Sequence, residues 1–474
     1  MAERTVLAGT DGFRGEATND PGPGLVNTET FEGLTYALVD HQLESGNSGP
    51  VVVGQDTRPS SAYLREAVIA GALKCGVEVW DMGIAPTPAI QLAAQRLGGS
   101  AVAVTASHNP YTDNGWKGMP GGEKPSKDVA LSISDGYWGR LERGDGLPTT
   151  LRGTRVARPN LVSWYADAVV QDIEEAFGER PLADKLIVVD GARGAAQALT
   201  PTILERLGAR VERFACDGKG FINEGCGAAN LEGLEQFLGE RPEITSHPDF
   251  LGALANDGDA DRLMGIGVLN DNGNRRFVEI NGNHIMHELA QGQPGIVGTE
   301  YTNTGMVSRL RDSGIGFEYC ANGDVYVTQK LRELQNEGKP WTRGGEFSGH
   351  LIDLEWLSSG DGVRMAAWLA AYAATNGMNF AEIQQSLPLW PEHAAKIKFG
   401  AAREDIKEDK DVQEAIGLAT AELDQDGRVV VRPSGTEPVV RVWGEARNRQ
   451  RIIRIVEGLA GLVAAKALQS RVEL

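Results

Sequence analysis

The sequence predicts an α/β protein: three related mixed α/β domains followed by a smaller α+β domain at the C-terminus. Three observations lead there. A strand–loop–helix–strand pattern occurs three times along the chain. The 474 residues suffice for three or four ordinary domains. The C-terminal stretch then changes to a different order of elements.

The first copy of the pattern is VVVGQDTRPSSAYLREAVIAGALKCGVEVWDMG at 51–83, the second LIVVDGARGAAQALTPTILERLGARVERF at 186–214, and the third PGIVGTEYTNTGMVSRLRDSGIGFEYC at 294–320. Each has a short β-branched run, a polar loop, about three turns of helix, a glycine and a second apolar run. Gly76, Gly208 and Gly314 stand where a helix needs a left-handed cap. Such units build a mostly parallel sheet covered by helices, and copies this far apart are separate domains, not solenoid repeats. In the tail, 393–401 reads as a strand, 403–421 as a helix, GRVVVR and VVRVWGEA as two strands, and 448–467 as a closing helix. The linker before it, MNFAEIQQSLPLWPE, contains two prolines. The expected domains are 1–155, 156–252 with an aspartate-rich loop at its C-terminal border, 253–385 and 386–474.

Composition bounds the function. With 65 acidic against 46 basic residues the formal net charge is −19, so no nucleic-acid partner is expected, since that would call for a basic surface. An anionic small molecule would need a locally cationic pocket. No apolar run approaches ~18 residues, so no membrane partner is expected either. The start MAERTVLAGT does not read as a secretory signal. Cys75, Cys216, Cys226 and Cys320 are scattered and form no CxxC pair, as in a cytoplasmic protein with reduced thiols.

Four loops carry chemistry. Thr105-Ala106-Ser107-His108-Asn109-Pro110 follows the apolar GSAVAVTA, which puts Ser107 at the end of a strand, where α/β sheets meet ligands. Lys117 follows in DNGWK. In Asp257-Gly258-Asp259-Ala260-Asp261-Arg262, carboxylates at alternate positions can converge on one hard cation. An EF-hand is excluded, because its sixth position is Arg262 and its twelfth Val268. Arg262 is a candidate phosphate clamp. In Gly344-Gly345-Glu346-Phe347-Ser348-Gly349-His350, Glu346 and Ser348 can bond sugar hydroxyls and His350 can carry a proton. Arg432-Pro433-Ser434-Gly435-Thr436-Glu437-Pro438, with Arg441 beyond, offers guanidinium, hydroxyl and backbone donors for a phosphate. A plain turn or hairpin is the competing reading of each loop taken alone. There is no GxSxG elbow and no Walker A, and His284 and His287 lack the HExxH context and read as core or surface histidines.

Taken in this order, TASHNP, DGDADR, GEFSGH and RPSGTEP resemble the phosphoserine, metal, sugar and phosphate loops of the α-D-phosphohexomutase superfamily. Within it, GTDGFRG at 9–15, GIAPTPA at 83–89, SHNPYTDNG at 107–115, INEGCGAAN at 222–230 and VGTEYTNTGM at 297–306 look most like the phosphoglucosamine mutase branch. Two positions depart from that branch: Phe347, where it usually has Gln, and Val325, where it usually has a basic residue.

The resemblance implies four domains around a cleft, the last a lid. It implies one Mg²⁺ on Ser107, Asp257, Asp259 and Asp261, with Ser107 phosphorylated in the active enzyme. Lys117, Arg14, His108 and His350 are then the catalytic candidates; Arg262, Glu346, Ser348 and His350 meet the sugar; Arg432, Ser434, Gly435, Thr436 and Arg441 hold the other phosphate. The implied reaction interconverts 6-phospho and 1-phospho hexoses through a bisphosphorylated sugar, which also serves as activator. Glucosamine phosphate is the first choice of substrate, with a phosphomannomutase/phosphoglucomutase activity as alternative. A metal-dependent sugar phosphatase and a non-catalytic sugar-phosphate-binding protein are the readings from other classes. A monomer or homodimer is expected.

Overall fold

The computed structural model describes residues 6–9, 11–271, 274–398, 406, 408–433 and 439–472. The first sheet contains β1 (Phe13–Glu16), β2 (Val51–Gln55), β3 (Glu78–Ile84), β4 (Ser100–Val104), β5 (Asp113–Met119) and β6 (Thr154–Ala157), in the order β1-β5-β4-β2-β3-β6. β4, β2, β3 and β6 run parallel, while β5 and β1 add antiparallel pairs on one side. VVVGQ and SAVAV are buried along their whole length, the continuous apolar pattern of strands covered on both faces. The helix Thr28–Glu44 packs Phe31, Leu34 and Leu38 into the core with Val51 and Val53. It starts at Asn27, whose side chain accepts from Thr30 N at 2.9 Å.

The second sheet contains β7 (Leu186–Asp190), β8 (Arg210–Phe214), β9 (Phe250–Asn256), β10 (Leu263–Asp271) and β11 (Asn274–Ile280), ordered β11-β10-β9-β7-β8. β9, β7 and β8 are parallel, and β10 and β11 extend the sheet antiparallel. The border expected between 252 and 253 falls inside β9. That strand is buried throughout and pairs with β7 on one side and β10 on the other, so the sheet continues to Ile280. The aspartate loop is the β9–β10 connection.

The third sheet contains β12 (Gly295–Thr299), β13 (Gly316–Cys320), β14 (Arg343–Gly345) and β15 (Leu351–Asp353), ordered β13-β12-β14-β15, with only β15 antiparallel. The glycine caps read from the three repeats all have positive φ: +87° at Gly76, +107° at Gly208 and +74° at Gly314.

A separate compact unit comprises 302–314 and the C-terminal residues from Leu387. Its antiparallel sheet is β16 (Glu392–Lys398), β17 (Gly427–Pro433) and β18 (Val439–Ala446), with β18 central. Helices Lys410–Leu423 and Arg449–Val472 pack Val412, Leu423, Ile452 and Val456 against Val431, Val440 and Val442. The helix Thr304–Asp312 of the third sequence repeat groups with this unit, because the buried Glu445 binds its first turn. Glu445 Oε1 accepts from Thr304 N at 3.0 Å and from Thr304 Oγ1 at 2.5 Å. Among the described residues no helix is long and apolar enough to cross a membrane.

Candidate active site

β4 ends at Val104 and the chain turns at Ser107, which adopts φ +53°. A left-handed conformation in a residue with a Cβ costs about 1–3 kcal/mol and persists only where its surroundings enforce it. Here Thr105 Oγ1 accepts from Ser107 N at 2.9 Å and donates to Asp56 Oδ2 at 2.7 Å. The buried Ser107 hydroxyl donates to Asp257 Oδ2 at 2.6 Å, joining the first sheet's loop to the second's.

Asp257, Asp259 and Asp261 are buried and offer carboxylate oxygens that lie within 4.8 Å of one another. Such a set suits a divalent cation. Asp259 Oδ2 is held by Thr87 Oγ1 at 2.5 Å and Lys117 Nζ at 2.6 Å. Asp259 Oδ1 is buried without a hydrogen-bond partner among the described residues, so this carboxylate retains an oxygen for a cation. Burial, then the neighbouring Asp261 and Asp259, push the Asp257 carboxyl up to about 7. Burial acts the same way on Asp261, but Lys117 and His350 outweigh it and hold that carboxyl well below the usual range.

Cations crowd this cluster. Lys117 is a buried residue of β5, and its ammonium bridges Asp259 and Asp261, the latter at 2.9 Å. Arg14 lies in β1 beside β5 and pairs with Asp11. Lys124 is buried between Asp324, at 2.6 Å, and Asp11, at 3.2 Å. Arg262 has its Nε 3.8 Å from Asp257 Oδ2 and 4.0 Å from Asp261 Oδ1. His108, half-buried next to Ser107, is pushed down to about 4, first by burial and then by Arg262 and Arg14, so its ring is neutral.

The β14–β15 connection runs alongside the aspartate loop: Arg262 and His350 form an antiparallel bridge, and Leu263 N donates to Gly349 O at 3.0 Å. His350 lies between Glu346 Oε2, 2.6 Å from its Nδ1, and Asp261 Oδ1, 3.2 Å from its Nε2. Burial and Arg262 disfavour its protonation, yet Asp261 and Glu346 prevail and raise its pKa to about 10. Glu346 Oε1 also accepts from Gly323 N at 2.9 Å. Ser348 is half-buried, and the ring of Phe347 is exposed, 6.1 Å from that of Tyr301. Val325 is buried in the helix Asp324–Asn336.

In the C-terminal unit Arg432 and Arg441 are directly opposite in the β17–β18 register, so their side chains share one face of the sheet. Ser434, Gly435 and Thr436 lie outside the described residues.

Sequence reasoning missed Arg58, Thr87, Lys124, Asn223 and the Asp11 and Asp324 partners. GIAPTPA and INEGCGAAN contained Thr87 and Asn223, but nothing local says that they reach loops far away in the chain. Asn223 Nδ2 donates to Ser107 O at 2.7 Å and Asn109 O at 3.1 Å.

The profile described as "Phosphoglucomutase/phosphomannomutase, alpha/beta/alpha domain I" matches residues 5–141, that for alpha/beta/alpha domain III matches 277–389, and that for the C-terminal domain matches 395–462. A phosphoglucosamine mutase of Frankia casuarinae is 33% identical, covering 96% of this chain and 98% of its own length. One of Leptothrix cholodnii is 34% identical over 93% and 95% respectively. Among solved structures, a phosphoglucomutase/phosphomannomutase family protein from Burkholderia thailandensis has the same fold, with a TM-score of 0.75 at 21% identity over 96% of both chains. An Aspergillus fumigatus N-acetylphosphoglucosamine mutase in complex with GlcNAc-6P and magnesium gives 0.64 at 15% identity over 97% of this chain and 96% of its own.

Proposed function

This chain belongs to the α-D-phosphohexomutase superfamily, and from that premise we propose that it interconverts 6-phospho and 1-phospho hexoses by way of a phosphoserine at Ser107. The observation that carries the reading is the 2.6 Å hydrogen bond from Ser107 Oγ to Asp257 Oδ2, between loops 150 residues apart. Of the two hydroxyls in the TASHNP loop, that of Thr105 is bound to Asp56 and that of Ser107 reaches the aspartate cluster.

In the first half-reaction the bond between phosphorus and Ser107 Oγ breaks and one forms to a sugar hydroxyl oxygen, while the hydroxyl proton passes to Ser107 Oγ. The resulting sugar bisphosphate reorients. In the second half-reaction its other phosphoryl group returns to Ser107 Oγ and the proton goes back to the sugar oxygen. Lys117 Nζ and His350 Nε2 are the candidates to carry that proton. Asp257, Asp259 and Asp261, with the Ser107 phosphoryl group, would hold Mg²⁺, which when bound would supply positive charge against the transferring group. Arg14, Lys117 and Arg262 add fixed positive charge around it, which is how an acidic chain attracts an acidic sugar. Glu346, Ser348 and His350 take sugar hydroxyls. Arg432 and Arg441, directly opposite each other in the β17–β18 pair, take the phosphate that is not being transferred.

Glucosamine phosphate is the preferred substrate, supported by the likeness to proteins named phosphoglucosamine mutase over nearly their whole length. The exposed Phe347 ring favours the second reading, a phosphomannomutase/phosphoglucomutase. It stands in the sugar loop and offers no hydrogen bond to an amino group. Specificity constants on glucosamine, glucose and mannose 6-phosphates, with products resolved by phosphorus NMR, test both readings. The expected result is the 1-phosphate isomer with little inorganic phosphate, and the largest kcat/KM on glucosamine 6-phosphate. Stoichiometric inorganic phosphate would instead identify a phosphatase.

A further inference from the structure

We propose that Arg58 and Asn223 are positioning residues that hold Ser107 in its left-handed conformation and so keep its hydroxyl aimed at the aspartate cluster. This rests on the reading of Ser107 as the phosphoryl carrier. Ser107, with φ +53°, does not adopt this backbone unaided. Its carbonyl oxygen receives Arg58 Nη2 and Asn223 Nδ2, both at 2.7 Å. The same two donors reach Asn109 O, at 2.9 and 3.1 Å. Arg58 Nη1 donates to Asp113 O at 2.9 Å and also to Pro110 O. One buried guanidinium thus ties four carbonyls of the loop.

The peptide on the other side of Ser107 is held by the same assembly. Arg58 Nε bonds Asp56 Oδ2 at 2.8 Å, Asp56 receives Thr105 Oγ1, and Thr105 Oγ1 accepts Ser107 N. Asn223 reaches in from the second sheet's side. It is itself left-handed, φ +61°, and its backbone N donates to Ala192 O at 3.0 Å. Tyr111 and Phe221 stack beside it, with ring centroids 3.9 Å apart. Gly258 of the aspartate loop completes the junction: a Cβ there would stand 2.6 Å from Ser107 O and 3.0 Å from Asn223 Nδ2. Neither Arg58 nor Asn223 bonds an aspartate of the cluster in this arrangement. Each acts through the peptide groups that set the direction of the Ser107 side chain.

Asn223→Gly tests the clamp cleanly, because glycine keeps the left-handed backbone and removes only the amide. Arg58→Lys keeps the charge but loses the fork. Each variant is incubated with a hexose 1,6-bisphosphate to time phosphorylation of Ser107 by mass. It is then assayed for kcat and KM on the hexose 6-phosphate that the wild type isomerises, and its thermal unfolding is recorded. In Asn223→Gly the phosphorylation rate and kcat should fall together by roughly 10- to 100-fold, as expected for a nucleophile misplaced by about 1 Å, with KM changed less than about twofold and the protein folded at the assay temperature. Wild-type phosphorylation and kcat in both variants would overturn the clamp, as would a loss of kcat no larger than the unfolded fraction. A wild-type protein that never carries phosphate on Ser107 removes the parent reading and the clamp with it.

Discussion

Asp259 has one carboxylate oxygen engaged twice and the other not at all. Thr87 and Lys117 fix Oδ2, and Oδ1 is buried and unpartnered among the described residues. A buried oxygen in that position costs free energy unless a ligand meets it, and the two neighbouring aspartates make a divalent cation the natural one. Asp259→Asn preserves shape and the Thr87 contact while weakening that ligand. The Mg²⁺ concentration for half-maximal turnover should rise at least ~10-fold, with little change in Tm. EDTA should stop wild-type turnover and Mg²⁺ restore it. A chelated enzyme that continues to work would leave the three aspartates as a structural turn. This residue was legible in the sequence, since carboxylates at alternate positions announce themselves. Its support by Thr87, 172 residues away, was not, because only the tertiary fold brings that hydroxyl there.

The helix Gly282–Leu289 shows how an element outside the cluster serves it. Gly282 N donates to Phe347 O at 3.0 Å, and a Cβ at Gly282 would collide with the Glu346 carbonyl, so the helix start braces the β14–β15 loop. That start is a capping box. Asn281 N donates to His284 Nδ1 at 3.2 Å, which requires a neutral ring. Burial, then His287, push the His284 pKa down to about 4. Its folded value lies below the ordinary 6.5. The stability it contributes is therefore present above pH 6.5 and lost as pH falls through about 4, up to about 3 kcal/mol in all. His284→Gln keeps an acceptor for the cap and removes the titration. Between pH 6.5 and 4 its Tm should fall less than that of the wild type in scanning fluorimetry. Parallel curves would mean that His284 does not titrate in this window. The histidine itself read as core or surface, because neither its cap role nor its neighbours appear in a local pattern.

Across the whole molecule, what was legible is what is written locally. The three strand–helix–strand copies, the glycine caps and the four loops each occupy a short stretch. What was not legible depends on pairing at a distance. The 252/253 border cuts β9 because nothing in FLGALAN tells that β10 and β11 continue the same sheet. The helix Thr304–Asp312 belongs with the C-terminal unit, where Glu445, far along the chain, accepts from Thr304 in its first turn. The concentration of charge also emerges only in three dimensions. A chain of net charge −19 gathers Arg14, Lys117, Lys124, Arg262 and His350 around its aspartates and their acidic partners, so the buried carboxylates there are largely offset. The central claim is that the phosphoryl group rests on Ser107 between two sugar oxygens, and intact mass spectrometry after incubation with a hexose 1,6-bisphosphate and Mg²⁺ tests it most directly. The account predicts one added phosphoryl group on the wild type, mapped to Ser107 by peptide sequencing, none on Ser107→Ala, and at least a ~10²-fold loss of isomerase rate in that variant. An unmodified wild type, or a Ser107→Ala variant that still takes up phosphate and isomerises at full rate, would contradict it.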